Sequence, residues 1–165
     1  MKEILVLNTG GTFNKSYNEL NGNLEVLLNN SCVEKIIDIA FKGNIDIDIK
    51  GILYKDSLEI TKQDRELILD AIKCYEKIVI VHGTDTIDIT AQFLSENVSD
   101  KTIVLTGSMK PFLIEPIEST SNLCIAINFL QNCNDSDIFI SMHGQVEKHN
   151  KIKKNRDIGR FEVIN

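Results

Sequence analysis

The chain is short of cysteine, histidine and proline, and each shortage removes a class of explanation. Four cysteines (Cys32, Cys74, Cys124 and Cys133) show no C-x-x-C spacing, which argues against a zinc framework and against the dense pattern of a secreted disulfide scaffold. They read as buried free thiols in a reducing compartment. Three histidines, His82, His143 and His149, fall in no metal-ligand spacing. Two prolines, with no Pro- or Gly-rich tract, leave nothing that reads as a linker. Positive charge is also lacking: the net charge of −6 gives no general attraction for a phosphate backbone, so nucleic acid is not an expected partner. The opening "MKEILVLNTGG" holds an apolar run too short for a signal-peptide core and far too short to span a bilayer, so the expected setting is cytoplasmic, with no membrane partner. Nucleotide fingerprints of the G-x-G-x-x-G and G-x-x-x-x-G-K-[ST] kinds are absent, as is a G-x-S-x-G elbow.

What is present is an alternation. The 165 residues suit one domain, which at that size buries roughly 70% of its unfolded surface and needs no metal or disulfide to hold a core. Continuous apolar runs at 4–7, 78–81, 102–105 and 138–142 suit strands covered on both faces. "NIDIDIKGILY" (44–54) alternates instead, which places it near a sheet edge. Helical periodicity lies between the runs, at 32–41, 61–75, 87–97 and 121–131, and Thr61 with Asp64 has capping-box spacing. Strand and helix in turn predict an α/β fold with a mostly parallel sheet flanked by helices.

Three polar clusters follow predicted strands: Thr9-Gly10-Gly11-Thr12, His82-Gly83-Thr84-Asp85-Thr86 and Thr106-Gly107-Ser108-Met109-Lys110. In an open parallel sheet they gather at the carboxyl edge, where such folds bind ligands. Hydroxyls, one carboxylate and lysines can run nucleophilic catalysis, given a base for the hydroxyl proton and backbone N–H groups for a developing oxyanion. A lysine base brought from about 10.4 to about 7 costs roughly 4–5 kcal/mol, and an adjacent aspartate opposes that change, so a Thr–Lys–Asp relay is expected to start as an ion pair. Any one cluster alone reads equally well as a tight turn plus a helix cap; three at matching strand ends do not. His82 reads as a packing or hydrogen-bonding residue, and Asp85 or Thr84 could merely cap the helix beginning near Ile87.

The clusters resemble the signatures of the bacterial, two-domain type of L-asparaginase. "NTGGTF" (8–13) is similar to the family's T-G-G-T-I, and "VHGTDTIDITAQFL" (81–94) to its H-G-T-D-T and following helix. "VLTGSMKP" (104–111) is similar to its G-A-M-R-P segment, and "KDSLEIT" (55–61) to its substrate-binding D-S-x-x-M-T element. The motifs occur in the family's order over essentially the whole chain. The resemblance implies that Thr12 is the nucleophile and that Thr84 and Asp85 serve both the catalytic triad and the substrate's α-ammonium. It implies that Ser57 grips the α-carboxylate and that Ser108 lies where a backbone carbonyl meets the leaving nitrogen. The triad lysine falls in "NKIKKNRD": Lys154 aligns with a V-x-K pattern, with Lys151 and Lys153 as alternatives and the other basic residues of 148–160 as surface. Tyr17 is the candidate for the tyrosine brought beside the nucleophile by the first loop. Leu58 stands where many members carry a polar residue. With Thr84 and Asp85 given these roles, Thr86 is left as the expected cap of the helix beginning near Ile87.

The implied activity is hydrolysis of L-asparagine, with L-glutamine as a second candidate substrate, to aspartate and ammonia through an acyl-threonine, without metal or organic cofactor. With Asn165 as the last residue, residues 1–165 are expected to be a single domain of the family's N-terminal kind, closing on "GRFEVIN" as a strand. A pocket open on one side then implies a homodimer or higher homo-oligomer. Two other readings stand beside it: an asparaginase-like subunit of a tRNA-dependent amidotransferase, and a non-catalytic domain that senses Asn or Asp.

Overall fold

The computed structural model describes residues 3–165. In chain order the strands are β1 (Ile4–Gly10), β2 (Lys15–Tyr17), β3 (Leu24–Val26), β4 (Ile47–Lys55), β5 (Lys77–Val81), β6 (Thr102–Thr106), β7 (Ile138–Met142), β8 (Gln145–Lys148), β9 (Ile152–Asn155) and β10 (Arg160–Val163). The α-helices are α1 (Ser31–Phe41), α2 (Lys62–Ile72), α3 (Ile87–Asn97) and α4 (Pro116–Asn132). Six strands form one sheet in the order β4-β1-β5-β6-β7-β8, parallel except for the β7–β8 pair. The pairs β2–β3 and β9–β10 are separate antiparallel hairpins. The expected α/β fold with a mostly parallel sheet is the one observed.

The unbroken apolar runs are explained by two covered faces. Along β1, Ile4 and Val6 point to one face and pack with Val79, Val81 and Val104 against Val33 and Ile36 of α1 and Leu123, Ile127 and Leu130 of α4. Leu5 and Leu7 point to the other and meet Ile68 and Ile72 of α2 and Ala91 and Leu94 of α3. Every residue of β1, β6 and β7 is buried. At roughly 1.5–3 kcal/mol for each large apolar side chain taken from water, these two layers are the main term opposing chain entropy. The alternating segment is β4, which lies at the sheet edge as its pattern indicates.

Thr61 caps α2 in a complete capping box with Asp64. Helix α4 starts at Pro116, earlier than the periodicity suggests, because Pro116 opens the first turn and the Glu115 carboxylate accepts from the Ile117 and Glu118 N–H groups. The closing segment does form a strand, β10, but it pairs with β9 and not with the main sheet. Among the described residues no helix is long and apolar enough to cross a membrane.

Strand order positions the site. The chain leaves β1 for β4 on one side and then crosses to β5 on the other. The loops after β1 and β5 therefore diverge and leave a crevice at the carboxyl ends of these two strands. Thr12 follows β1 and Thr84 follows β5.

Candidate active site

Two glycines let the loops close on one another. Gly11 has φ 77°, and a Cβ there would lie 2.5 Å from Gly83 Cα; a Cβ on Gly83 would lie 2.5 Å from Ser57 Cβ. A side chain at either position would force the backbones apart. Thr12 and Thr84 are thus the residues that follow two touching glycines, and Ser57 lies against the second. Thr12 opens a 3-10 turn, Thr12–Asn14, and is half-buried. Among the described residues its hydroxyl has no hydrogen-bond partner, whereas Thr9 just before it donates its own to the Val81 carbonyl at 2.7 Å. Ser57, 2% exposed, begins a second 3-10 turn capped by Asp56.

Lys154 reaches the site from the β9–β10 hairpin. Its ammonium lies 2.9 Å from Thr84 Oγ1 and 2.8 Å from Asp85 Oδ1. Strand alternation selects this lysine: Ile152 and Lys154 face the body while Lys153 is exposed, and Ile152 is buried beneath the hairpin. Lys151 is exposed as well. An ammonium has no acceptor, so Thr84 Oγ1 must accept, which turns the threonine's own proton away from Lys154. The side chain of Lys154 is 11% exposed and that of Asp85 is 41% exposed, so the pair is closed on the lysine side and open on the other. Arg156 Nη2 donates to the Asp85 carbonyl at 2.9 Å. From sequence alone Arg156 is only one more surface charge of a basic segment.

His82 supports the loop from below. It is fully buried, with Nδ1 2.8 Å from the Gly83 carbonyl and Nε2 2.8 Å from Thr90 Oγ1. Arg65 Nε donates to that same hydroxyl at 3.0 Å. The hydroxyl therefore accepts from Arg65 and gives its own proton to Nε2, which fixes the imidazole proton on Nδ1. Burial pushes the imidazole down from 6.5 to about 4, outweighing the Gly83 hydrogen bond that acts the other way. The hydrogen-bonding role read from the sequence is the one observed.

Thr86 differs from its expected role. It occupies the N-cap position of α3 but makes no capping hydrogen bond. Its hydroxyl donates instead to the Ser57 carbonyl at 2.8 Å, tying the loop after β5 to the Ser57 turn. A cap would need the Thr86 oxygen to accept from the N–H groups of the first turn, and the hydroxyl is turned to Ser57 instead. Lys15, on β2, adds a second tie to the same turn at 2.7 Å from Asp56 Oδ2. This contact holds the Asp56 carboxyl below its ordinary range.

Ser108 is 1% exposed and donates to the Lys110 carbonyl at 2.6 Å. Two residues that no motif marked hold its loop: Glu118 accepts from Met109 N–H at 2.7 Å and Lys110 N–H at 3.2 Å, and Asn122 Nδ2 donates to the Gly107 carbonyl at 2.9 Å. Both lie on α4, Asn122 within the span its periodicity indicates and Glu118 in the early first turn that the periodicity did not show. Tyr17 is not brought to the group. It is 59% exposed on β2, makes no hydrogen bond to Thr84, Asp85 or Lys154, and its hydroxyl lies over the turn at Gly22. Leu58 is 73% exposed. Among the described residues no three His, Cys, Asp or Glu side chains form a metal-holding group.

The crevice thus presents an unpartnered hydroxyl, a second hydroxyl in contact with an ammonium, and a carboxylate open on one side. That is a donor set for nucleophilic attack on a small polar carbonyl compound. Comparisons with known proteins show the family. The family described as Asparaginase, N-terminal matches residues 3–160. An L-asparaginase of Thermococcus kodakarensis is 28% identical over 171 residues, covering 99% of this chain and 51% of the relative. One of the glutamyl-tRNA(Gln) amidotransferase subunits of Sulfolobus acidocaldarius is 27% identical, over 87% of this chain and 33% of the relative. Among solved structures, the thermostable L-asparaginase from T. kodakarensis superimposes with a TM-score of 0.80 at 30% identity, covering 98% of this chain and 51% of that one. The L-asparaginase I from Vibrio cholerae shares the fold, with a TM-score of 0.83 at 24% identity over 99% of this chain and 52% of that one. The chain spans about half the length of the thermococcal relative.

Proposed function

Because the chain belongs to the asparaginase family, we propose that it is an amidohydrolase converting L-asparagine to L-aspartate and ammonia through an acyl-threonine. Thr12 Oγ1 attacks the side-chain amide carbonyl, its proton passes to the leaving nitrogen by way of Thr84 and Lys154, and ammonia departs. Water then attacks the Thr12 ester by the same proton route and releases aspartate. Asp85 holds Lys154 in place and offers its open side to the substrate ammonium, while Ser57 receives the α-carboxylate. Gly11 N–H is taken by the Lys55 carbonyl at 2.9 Å, so the oxyanion donors in this reading are N–H groups of the residues that follow the Gly11–Gly83 contact.

The observation that carries this reading is the approach of Lys154, from a distant hairpin, to both Thr84 and Asp85. A purely structural lysine gains little from a half-exposed carboxylate. Tyr17 enters the reading only as a residue that the β2–β3 hairpin would have to move. All four cysteines are free, but only Cys32 is buried as expected; Cys74 is exposed and Cys124 and Cys133 are half-buried.

The test is ammonia release from L-asparagine and from L-glutamine by the wild type, Thr12→Ala and Thr84→Val. Release by the wild type, reduced about 10³-fold or more in both variants, is the expected result. Release that survives Thr12→Ala overturns the assignment of the nucleophile. The amidotransferase relative favours a second reading, a subunit that liberates ammonia for a partner; preference for L-glutamine, stimulated by a tRNA-charging partner, would select it. Binding of L-asparagine without release would select a sensing domain.

A further inference from the structure

The turn between β7 and β8 carries a residue that its backbone does not call for. His143 and Gly144 are its two central residues, with φ 53° and 81°. Both therefore lie in the left-handed region of a two-residue hairpin turn, where Asn or Gly is the favoured first residue. A histidine there bears a backbone cost that its contacts must offset.

The ring is used at both nitrogens. Phe161 N–H lies 3.1 Å from Nδ1. An amide N–H only donates, so Nδ1 accepts and the imidazole proton sits on Nε2, 2.9 Å from Glu118 Oε1. Those two contacts lead to two different parts of the site. Phe161 is the register partner of Lys154 across the β9–β10 hairpin. Glu118 accepts from Met109 N–H with the same oxygen and from Lys110 N–H with the other, and so holds the loop that contains Ser108. The backbone repeats the link, because His143 N–H donates to Asn122 Oδ1 at 3.0 Å while Asn122 Nδ2 holds the Gly107 carbonyl. The His143 ring also meets the Phe161 ring edge-on at 6.0 Å.

We propose that His143 is a positioning residue that locks the Lys154 hairpin to the Ser108 loop, setting the distance between the proton relay and the leaving-group side of the site. It touches no substrate and acts through Phe161 and Glu118. This rests on the amidohydrolase reading. The lock itself is a statement about two loops and can be measured without turnover.

Three variants test it. His143→Gly relieves the backbone and deletes the ring. His143→Gln restores a donor and an acceptor on one planar group. Glu118→Gln weakens the lock from its other end with the turn untouched. His143→Gly is expected to lower kcat for L-asparagine about 10–100-fold, the scale of a misplaced catalytic group, with KM changed less than about threefold. His143→Gln should recover most of that loss, and Glu118→Gln should fall in the same direction as His143→Gly. Amide hydrogen exchange should show Met109 and Phe161 losing protection together in His143→Gly and in Glu118→Gln. Unchanged kcat in a folded His143→Gly, or a loss confined to KM, overturns the proposal. If the wild type releases no ammonia the amidohydrolase reading fails, and exchange alone decides: paired loss at Met109 and Phe161 upholds the lock, and unchanged protection at either refutes it. Glu118→Gln supplies the same readings should His143→Gly not fold.

Discussion

Lys154 joins parts of the site that are 69 and 70 residues away in sequence, yet its stabilising contribution is expected to be small. Its carboxylate partner is 41% exposed, and ion pairs in such surroundings contribute about 0–1 kcal/mol. Lys154→Met should therefore reduce turnover about 10³-fold or more while shifting unfolding free energy by about 1 kcal/mol or less. Parallel steady-state kinetics and urea melts check both halves. His82 is the opposite case, a buried group whose cost appears in stability. Its folded value near 4 lies below the ordinary 6.5, so between these values the unfolded chain takes up a proton that the folded chain refuses. Stability from this source is full above about pH 6.5, falls as pH drops toward 4, and levels below that, a loss of roughly 3 kcal/mol. His149 is lowered by burial too and adds in the same direction. Denaturation midpoints should fall from pH 7 to pH 4.5, and a His82→Asn variant, weaker at pH 7, should show a shallower fall.

The β9–β10 hairpin is the element on which the proposed chemistry depends most, and it is the least visible in the sequence. Its segment reads as a lysine run because Ile152 and Phe161 are its only buried apolar residues among the described residues, each 2% exposed in the layer formed by α2 and α3. Ile152→Ala should cost about 2–4 kcal/mol and lower kcat more than Lys153→Ala does, since the cavity lies beneath the strand that aims Lys154. Thermal melts and kinetics on the two variants make the comparison. The legible elements are those whose local pattern decides their fate. Four apolar runs became neighbouring strands, the alternating segment became the edge strand β4, and the Thr61–Asp64 spacing became a capping box. What stayed hidden depends on contacts between distant residues. Thr86 sits at a helix start and looks like a cap, but the Ser57 carbonyl, 29 residues away, takes its proton. Glu118, Asn122 and Arg156 hold the site loops through partners that no local spacing encodes.

At the scale of the whole molecule, strand order explains why four separate motifs meet. The reversal between β4 and β5 about β1 opens the crevice, and Gly11 and Gly83 then close its floor by backbone contact. The motifs named the residues and the topology supplied their meeting place. Tyr17 marks the limit of that inference: its place in the first loop makes it a candidate, and the β2–β3 hairpin holds it exposed at 59%. The open flank at Asp85 leads to a prediction for the assembly. Sedimentation should find a dimer or larger homo-oligomer, with a neighbouring copy over the crevice, and a monomer with full activity would rule that out. The central claim is that an ester forms on Thr12. Rapid quenching during turnover of L-asparagine, followed by peptide mass analysis, measures it directly. The predicted result is an aspartyl adduct confined to the peptide containing Thr12 and absent from Thr12→Ala. Steady ammonia release with no adduct there, or with the adduct on Thr84, would contradict it.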